Sequence, residues 1–307
     1  MTKVFIDGSA GTTGLRIRER LSDRKDLELI ILPVVTRKDP AARADALNSA
    51  AVSFLCLPDA AAVEAASFVI SPEAVIIDTS TAHRVAEGWT YGMPELAGQR
   101  EKLKDAKRIA NPGCHATGFI SLVAPLVAAG LIQKDARLSC FSLTGYSGGG
   151  KKMIAEYEAP DRNPLYQAPR QYGLGQTHKH LPEMSKVCGL TYAPVFCPIV
   201  APYYAGMEVT VPLTPAETSA SVEEIRGVYT DYYRSGLIRF AEAPDEGGFL
   251  SAGAMAGRDS LEVSVFGCDE RILLVSRFDN LGKGASGAAI QNMNLALGLD
   301  ETEGLVI

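Results

Sequence analysis

The first third of the chain alternates short, continuous apolar runs with segments of helical periodicity. Val4-Phe5-Ile6 predicts a first strand, and Thr12 to Leu21 predicts a helix with a charged outer face. Leu29-Ile30-Ile31-Leu32 predicts a second strand, followed by a turn at Thr36-Arg37-Lys38-Asp39-Pro40. Val52-Ser53-Phe54-Leu55-Cys56-Leu57 predicts a third, closed by Pro58-Asp59, and the alanine-rich stretch from Ala60 to Ile70 predicts a helix. Val75-Ile76-Ile77-Asp78 and Lys107-Arg108-Ile109-Ala110 predict a fourth strand and a fifth. Strands separated by helices require right-handed crossovers and a parallel sheet. Runs that are apolar throughout fit strands buried on both faces.

After about residue 130 the texture changes to alternating runs: Arg137 to Leu143, Met207 to Leu213, Leu261 to Phe266 and Arg271 to Ser276, with loops rich in proline, glycine and tyrosine between them. This predicts an α+β domain on a mostly antiparallel sheet. A last helix, Lys283 to Leu297, carries apolar residues on one side and is expected to pack back onto the first domain. The fold class is therefore α/β: an N-terminal Rossmann-like parallel sheet, a second α+β domain and a C-terminal helix returning to the first. The boundaries expected are 1–114 plus 284–307 for the first domain and 115–283 for the second, with the functional site in the cleft between them. No internal repeat or low-complexity tract interrupts this plan.

Composition narrows the function classes. With 307 residues, 47% hydrophobic and 21% charged, the chain has an ordinary soluble balance. A net charge of −6 provides no field to hold nucleic acid. A small anion remains possible, because a few arginines or backbone N–H groups bind one whatever the net charge. No apolar run approaches the roughly 20 residues of a membrane span, and the N-terminus reads as a strand entering a glycine turn, not as a signal peptide. Six cysteines (Cys56, Cys114, Cys140, Cys188, Cys197 and Cys268) lack any CxxC spacing, which argues against a zinc site or a disulfide framework. Five of them read as buried small hydrophobes in a reducing cytoplasm.

Gly8-Ser9-Ala10-Gly11-Thr12-Thr13-Gly14 follows the first strand and opens the first helix. Glycines at this position let the backbone approach a pyrophosphate, which then sits on the helix N-terminus. The first domain is thus expected to bind a dinucleotide; a purely structural turn is the plain alternative. The second strand ends in Val34-Val35-Thr36-Arg37-Lys38, with no carboxylate before Asp39. NAD-binding folds place an acid there for the ribose 2′-hydroxyl, whereas an arginine accommodates a 2′-phosphate. Thr36 and Arg37 therefore point to NADP(H), a solvated basic turn being the alternative.

Asn111-Pro112-Gly113-Cys114-His115 is the most specific stretch. A strand ends, Pro112-Gly113 turns the backbone, and a helix begins at or just after Cys114. The positive end of the helix dipole favours the thiolate, which makes Cys114 a nucleophile. Of the four histidines, His115 is adjacent, but on a helix its side chain points about 100° away. Gly175 to Glu183 offers His178 and His180 on a loop, with Glu183 placed to hold one imidazole in its working tautomer. A metal-binding pair would need a third ligand, and none has suitable spacing. Two further stretches suggest anion handling. Arg84 follows the carboxyl end of the fourth strand and suits a bidentate phosphate or carboxylate pair. Ser147-Gly148-Gly149-Gly150-Lys151 can present N–H groups and a lysine to an oxyanion, or be a plain turn.

Taken together, the glycine loop, Asn111-Pro112-Gly113-Cys114, Ser147-Gly148-Gly149-Gly150-Lys151, His178-Lys179-His180-Leu181-Pro182-Glu183 and Phe278-Asp279-Asn280-Leu281-Gly282-Lys283-Gly284 resemble the short form of the N-acetyl-γ-glutamyl-phosphate reductase family, within the aspartate-semialdehyde dehydrogenase superfamily. The resemblance covers nearly the whole chain. It implies NADPH-dependent reductive dephosphorylation of an acyl phosphate in arginine biosynthesis, through a thioester on Cys114 with His180 as acid/base. It implies that Arg84, His178 and Glu183 bind or orient substrate, that Ser147 and Lys151 lie near substrate and cofactor, and that Asn280 and Gly282 lie near the nicotinamide. The cofactor loop would comprise Gly8, Ser9, Gly11, Thr12, Thr13 and Gly14, and the second domain would also carry a homo-dimer or homo-tetramer interface. His83 and His115 stand where the family often has other residues. Three other readings stay open: reduction of aspartyl phosphate, a cysteine–histidine hydrolase or acyltransferase, and a dinucleotide-binding sensor without catalysis.

Overall fold

Six parallel strands come from the first part of the chain: β1 (Thr2–Asp7), β2 (Leu27–Ile30), β3 (Val52–Leu55), β4 (Val75–Asp78), β5 (Thr90–Tyr91) and β6 (Arg108–Ala110). Their order is β2-β1-β3-β4-β6-β5, and every ladder is parallel. The crossovers carry α1 (Thr12–Leu21), α2 (Pro40–Ser49), α3 (Asp59–Ser67) and α4 (Gln99–Asp105). The computed structural model describes residues 1–234 and 236–307. Both sheet faces are covered. Val4, Ile6, Val52, Phe54 and Ile77 pack with Ile17 and Leu21 of α1 on one side; Phe5, Leu55 and Ile76 pack with Leu47 of α2 and Ala62 of α3 on the other.

Several local expectations shift. The second strand begins and ends two residues earlier than its apolar run, because Ile31 is already exposed and Pro33 cannot donate to a ladder. The stretch read as a turn at Asp39-Pro40 is the start of α2: the Asp39 carboxylate accepts from the Ala41 N–H at 3.1 Å, and proline occupies the first turn. The third helix stops at Ser67, short of Ile70. The run from Arg137 pairs only from Ser139 onward.

Residues 113–284 form a second compact unit, joined by 306–307, while 285–305 belong with 1–112. Cys114 therefore falls in the second unit and not, as expected, at the end of the first. The second unit contains α5 (Cys114–Ala128), β7 (Ser139–Gly145), α6 (Gly150–Glu158), β8 (Arg170–Gln171), α7 (Leu181–Cys188), β9 (Val195–Ala201), β10 (Met207–Leu213), α8 (Val222–Tyr232), β11 (Ile238–Phe240), β12 (Leu261–Cys268) and β13 (Arg271–Phe278). Among the described residues its seven strands run β11-β12-β13-β10-β7-β9-β8. The β11–β12 and β7–β9 ladders are parallel and the rest antiparallel, a mixed sheet.

The helix α5 lies on this sheet at close range. A Cβ on Gly118 would stand 2.4 Å from Val209 Cγ2 and 2.9 Å from Phe278 Cε1, so the contact requires glycine. Pro125, inside α5, has no N–H for the Ser121 carbonyl one turn back. The Tyr233 hydroxyl supplies the missing donor at 2.6 Å, and the Tyr229 hydroxyl of α8 donates to the Leu122 carbonyl at 2.6 Å.

A π-helical turn, Gly282–Ser286, leads into α9 (Gly287–Ala296). This last helix is buried from Gly287 to Leu295 and not, as its pattern suggested, on one side. Ala289, Ile290 and Met293 join the core of the first unit. Its polar residues are consumed by neighbours: Gln291 Nε2 donates to Glu95 at 2.8 Å, and Asn292 Nδ2 donates to the Gly92 carbonyl at 2.9 Å and to Asn111 Oδ1 at 3.1 Å.

Candidate active site

Gly113 adopts an extended conformation (φ −80°, ψ 145°) and caps α5, so that Cys114 is the first residue of the helix. The turn is pinned by the buried Glu183 of α7, whose Oε1 accepts from the Gly113 N–H at 2.8 Å. A Cβ on Gly284 would come within 3.0 Å of Cys114 Cβ, so a glycine lets the π turn close on the thiol-bearing residue. The other cysteines differ in setting. Burial pushes the Cys56 thiol up to about 12 and raises those of Cys140 and Cys188. Cys268 is exposed, contrary to expectation, because β12 runs past the covered part of the sheet into the hairpin.

The histidine loop is built as an extension of the sheet edge. Tyr172 N–H donates to the Pro198 carbonyl at 3.0 Å, and Gly173 turns the chain at φ +64°. The Gln176 amide then grips Phe196 of β9 twice, donating to its carbonyl at 2.7 Å and accepting from its N–H at 2.9 Å. His180 caps α7, with Pro182 in the first turn, and its N–H donates to His178 Nδ1 at 3.2 Å.

Three imidazoles meet here, not two. The His115 ring centroid lies 5.7 Å from that of His178 and 5.5 Å from that of His180, and the latter two are 4.8 Å apart. His115 was set aside on helical geometry, yet one residue of helical rotation turns it into the histidine loop. Its Nδ1 is 2.7 Å from Ser142 Oγ and its Nε2 is 2.6 Å from the Tyr172 hydroxyl. Burial, then the charge of His178, lowers its pKa to about 3, so its own acid/base capacity is lost. Ser142, Tyr172 and Gln176 were missed; a tyrosine six residues before His178 is the only signal in the sequence. Among the described residues, no group of three His, Cys, Asp or Glu side chains is arranged to hold a metal ion.

Ser147 is buried, and its hydroxyl accepts from Asn280 Nδ2 at 3.0 Å. Asn280 Oδ1 in turn accepts from the Gly206 N–H at 3.0 Å. Gly282 cannot be replaced by a larger residue without displacement, since a Cβ would lie 2.0 Å from the Arg258 carbonyl oxygen. Lys151, in the first turn of α6, is exposed.

In the first unit the glycine loop leaves β1 at the carboxyl edge of the sheet. Gly8 has φ +87°, and a Cβ there would lie 2.3 Å from the Cys56 carbonyl oxygen; one on Gly14 would lie 2.5 Å from the Gly8 oxygen. Gly11 caps α1 with no side-chain bond to its N–H groups. The Thr12 hydroxyl is buried and, among the described residues, has no hydrogen-bond partner. Open helix donors with an unanswered hydroxyl at a glycine cradle suit a dinucleotide pyrophosphate. Ser9 lies in the loop of this cradle and Thr13 in the first turn of α1. Thr36 and Arg37 lie in the turn after β2, the strand next to β1; both N–H groups bond the Pro33 carbonyl, and the Arg37 side chain is exposed.

Arg84 spends part of its guanidinium on the backbone: Nε donates to the Asn111 carbonyl at 3.0 Å and Nη2 to that of Thr79 at 3.2 Å. Two donors so engaged narrow the bidentate role expected from sequence. Its neighbour His83 stacks on Trp89 with centroids 3.9 Å apart, and its Nδ1 is 2.6 Å from the buried Asp78 carboxylate.

Fold and site together define an oxidoreductase of the semialdehyde dehydrogenase class. Residues 34–106 match the semialdehyde dehydrogenase NAD binding domain, and 114–280 match the semialdehyde dehydrogenase dimerisation domain. Aspartate semialdehyde dehydrogenase II of Vibrio cholerae, in complex with ASA, shares the fold with a TM-score of 0.71 at 17% identity, over 97% of this chain and 98% of that one. The aspartate semialdehyde dehydrogenase of Candida albicans, with NADP, gives 0.69 at 16% identity, over 97% of this chain and 99% of its own. Sequence similarity is more specific. The chain is 44% identical to N-acetyl-gamma-glutamyl-phosphate reductase 2 of Nostoc sp., over 99% of each, and 46% identical to N-acetyl-gamma-glutamyl-phosphate reductase of Brucella ovis, over 96% of this chain and 99% of that one. The chain belongs to the N-acetyl-γ-glutamyl-phosphate reductase family. Among its described residues no helix is long and apolar enough to cross a membrane.

Proposed function

We propose that the protein catalyses the NADPH-dependent reductive dephosphorylation of N-acetyl-γ-glutamyl phosphate to N-acetylglutamate γ-semialdehyde, a step of arginine biosynthesis, through a thioester on Cys114. The observation that carries the chemistry is Cys114 at the N-terminus of α5, its turn held by Glu183 of the helix that His180 caps; similarity over nearly the full length to the named reductases supports the substrate.

The Cys114 thiolate attacks the γ-carbonyl carbon, and the C–O bond to phosphate breaks with its electron pair leaving on phosphate. Gly8, Ser9, Gly11, Thr12, Thr13 and Gly14 would hold the dinucleotide, with Thr36 and Arg37 toward a 2′-phosphate and Asn280 and Gly282 toward the nicotinamide. Its chemistry, when bound, is hydride donation to the thioester carbon. His180 then gives a proton to the resulting oxyanion and takes it back as the C–S bond breaks, returning the pair to Cys114 and releasing the aldehyde. Arg84, His178 and Glu183 would orient the substrate, and Ser147 and Lys151 would meet its charged groups. The match to a dimerisation domain supports a homo-dimer or homo-tetramer, and we place the enzyme in the cytoplasm, where free cysteines stay reduced.

The reverse reaction tests the proposal. N-Acetylglutamate semialdehyde should reduce NADP only when phosphate or arsenate is present; turnover without either would overturn the acyl-phosphate mechanism. The cofactor assignment has its own measurement. The kcat/KM ratio should favour NADPH over NADH by about tenfold or more and fall toward unity in Arg37→Ala. Equal values in the wild type remove the role of Arg37.

A further inference from the structure

One connected set of side chains in the second unit, Ser142, His115 and Tyr172, has no part in the steps above. His115 follows Cys114 directly, and its ring bridges Ser142 Oγ on β7 and the Tyr172 hydroxyl beyond β8 at 2.7 and 2.6 Å. Tyr172, His178, His180 and Phe196 face the ring. With its pKa lowered to about 3, His115 is neutral wherever the enzyme works, and a neutral imidazole has one N–H and one acceptor nitrogen.

The protons along this file can therefore run in only two senses. In one, Tyr172 donates to Nε2 and Nδ1–H donates to Ser142, so the phenol proton is spent inward. In the other, Ser142 donates to Nδ1 and Nε2–H donates to the phenol oxygen, so the phenol proton points elsewhere. Burial, then the charge of Cys114, raises the Tyr172 pKa, so this hydroxyl stays protonated. Negative charge at Cys114 favours the second sense.

We propose that His115 is a positioning residue: backed by Ser142, it gives its Nε2–H to the Tyr172 oxygen and so makes the phenol a hydrogen-bond donor to the negative charge that develops at Cys114. The proposal rests on the thiol chemistry above but is measured separately from it.

The pH profile of Cys114 alkylation by iodoacetamide reads the thiolate without substrate. Tyr172→Phe and His115→Phe should each raise its midpoint by about 0.5 to 1 unit, one lost hydrogen bond to an anion. Each should also lower kcat about tenfold with KM little changed, and the double variant should be no worse than either single one. His115→Gln places an amide nitrogen near the Nε2 position and should recover most of both losses; His115→Asn reaches only toward Ser142 and should not. Packing alone predicts the reverse: losses that multiply in the double variant, or a Gln variant as impaired as Phe, overturn the proposal. If His115→Phe does not fold, Ser142→Ala combined with Tyr172→Phe gives the same comparison. Absence of phosphate-dependent turnover in the wild type would defeat the reaction assigned above, while the alkylation profile would still decide the role of His115.

Discussion

Cys114→Ser is expected to lower phosphate-dependent oxidation of N-acetylglutamate semialdehyde by about ten-thousand-fold or more, the scale on which loss of a covalent nucleophile is felt. The reason lies in ionisation. A helix N-terminus stabilises an anion by about 1 kcal/mol, up to ~2 where partly buried. That is enough to bring a thiol with an ordinary pKa near 8.5 toward neutrality, but far short of what a serine hydroxyl needs. The substitution removes no packing volume of consequence, and the Gly113 N–H bond to Glu183 is made by the backbone. NADPH binding, followed by quenching of protein fluorescence, and thermal stability should therefore stay near wild type while turnover vanishes. Residual activity within tenfold of wild type would mean that the thiol is not the nucleophile and that the thioester route is wrong.

The second large effect separates the two histidines of the loop. His180→Asn should lower kcat by roughly a hundredfold or more, as for loss of a general acid/base, whereas His178→Asn should cost less than tenfold in kcat and act mainly on KM. His178 already accepts a hydrogen bond from the His180 N–H through Nδ1, which an asparagine oxygen can also accept. It also meets the rings of His115, Tyr172 and Phe196. The pH–rate profile adds a distinguishing mark, because loss of the acid/base removes one limb of the bell while loss of an orienting residue leaves both. The opposite ranking of the two variants would exchange their assignments.

Much of this was legible from residue order. The parallel sheet announces itself in apolar runs such as Val52–Leu55 and Val75–Asp78, whose residues are buried on both faces, and Pro112-Gly113 before Cys114 marks a helix start through turn chemistry alone. What stayed hidden depends on distant partners. Asn292 and Gln291 look like the wet side of an amphipathic helix until Gly92 and Glu95 are seen to accept their N–H hydrogen bonds. The start of α2 was concealed because Asp39-Pro40 serves equally as a turn and as a cap followed by a first helical residue. The ring contacts of His115 are hidden for a related reason: angular separation from Cys114 says nothing about which loop fills the direction in which the ring points. Ser142 and Tyr172 carry no local pattern at all, since one is an ordinary strand residue and the other follows a strand only two residues long.

The return of residues 285–305 to the first unit also sets an order of events at the ribosome. The strands of that unit are synthesised before the second unit, but the sheet face on which Val4, Ile6, Val52 and Ile77 lie has no Ala289, Ile290 or Met293 to cover it until α9 has been made. At roughly 5–20 residues per second that interval is on the order of ten seconds or more. The continuous segment 113–284, by contrast, contains all but two residues of its unit and can finish folding while its predecessor waits. Nascent-chain chaperones that shield apolar sheet faces would therefore meet this protein at its first-unit strands, and a substitution in α9 would be felt first as a failure of residues 1–112 to mature.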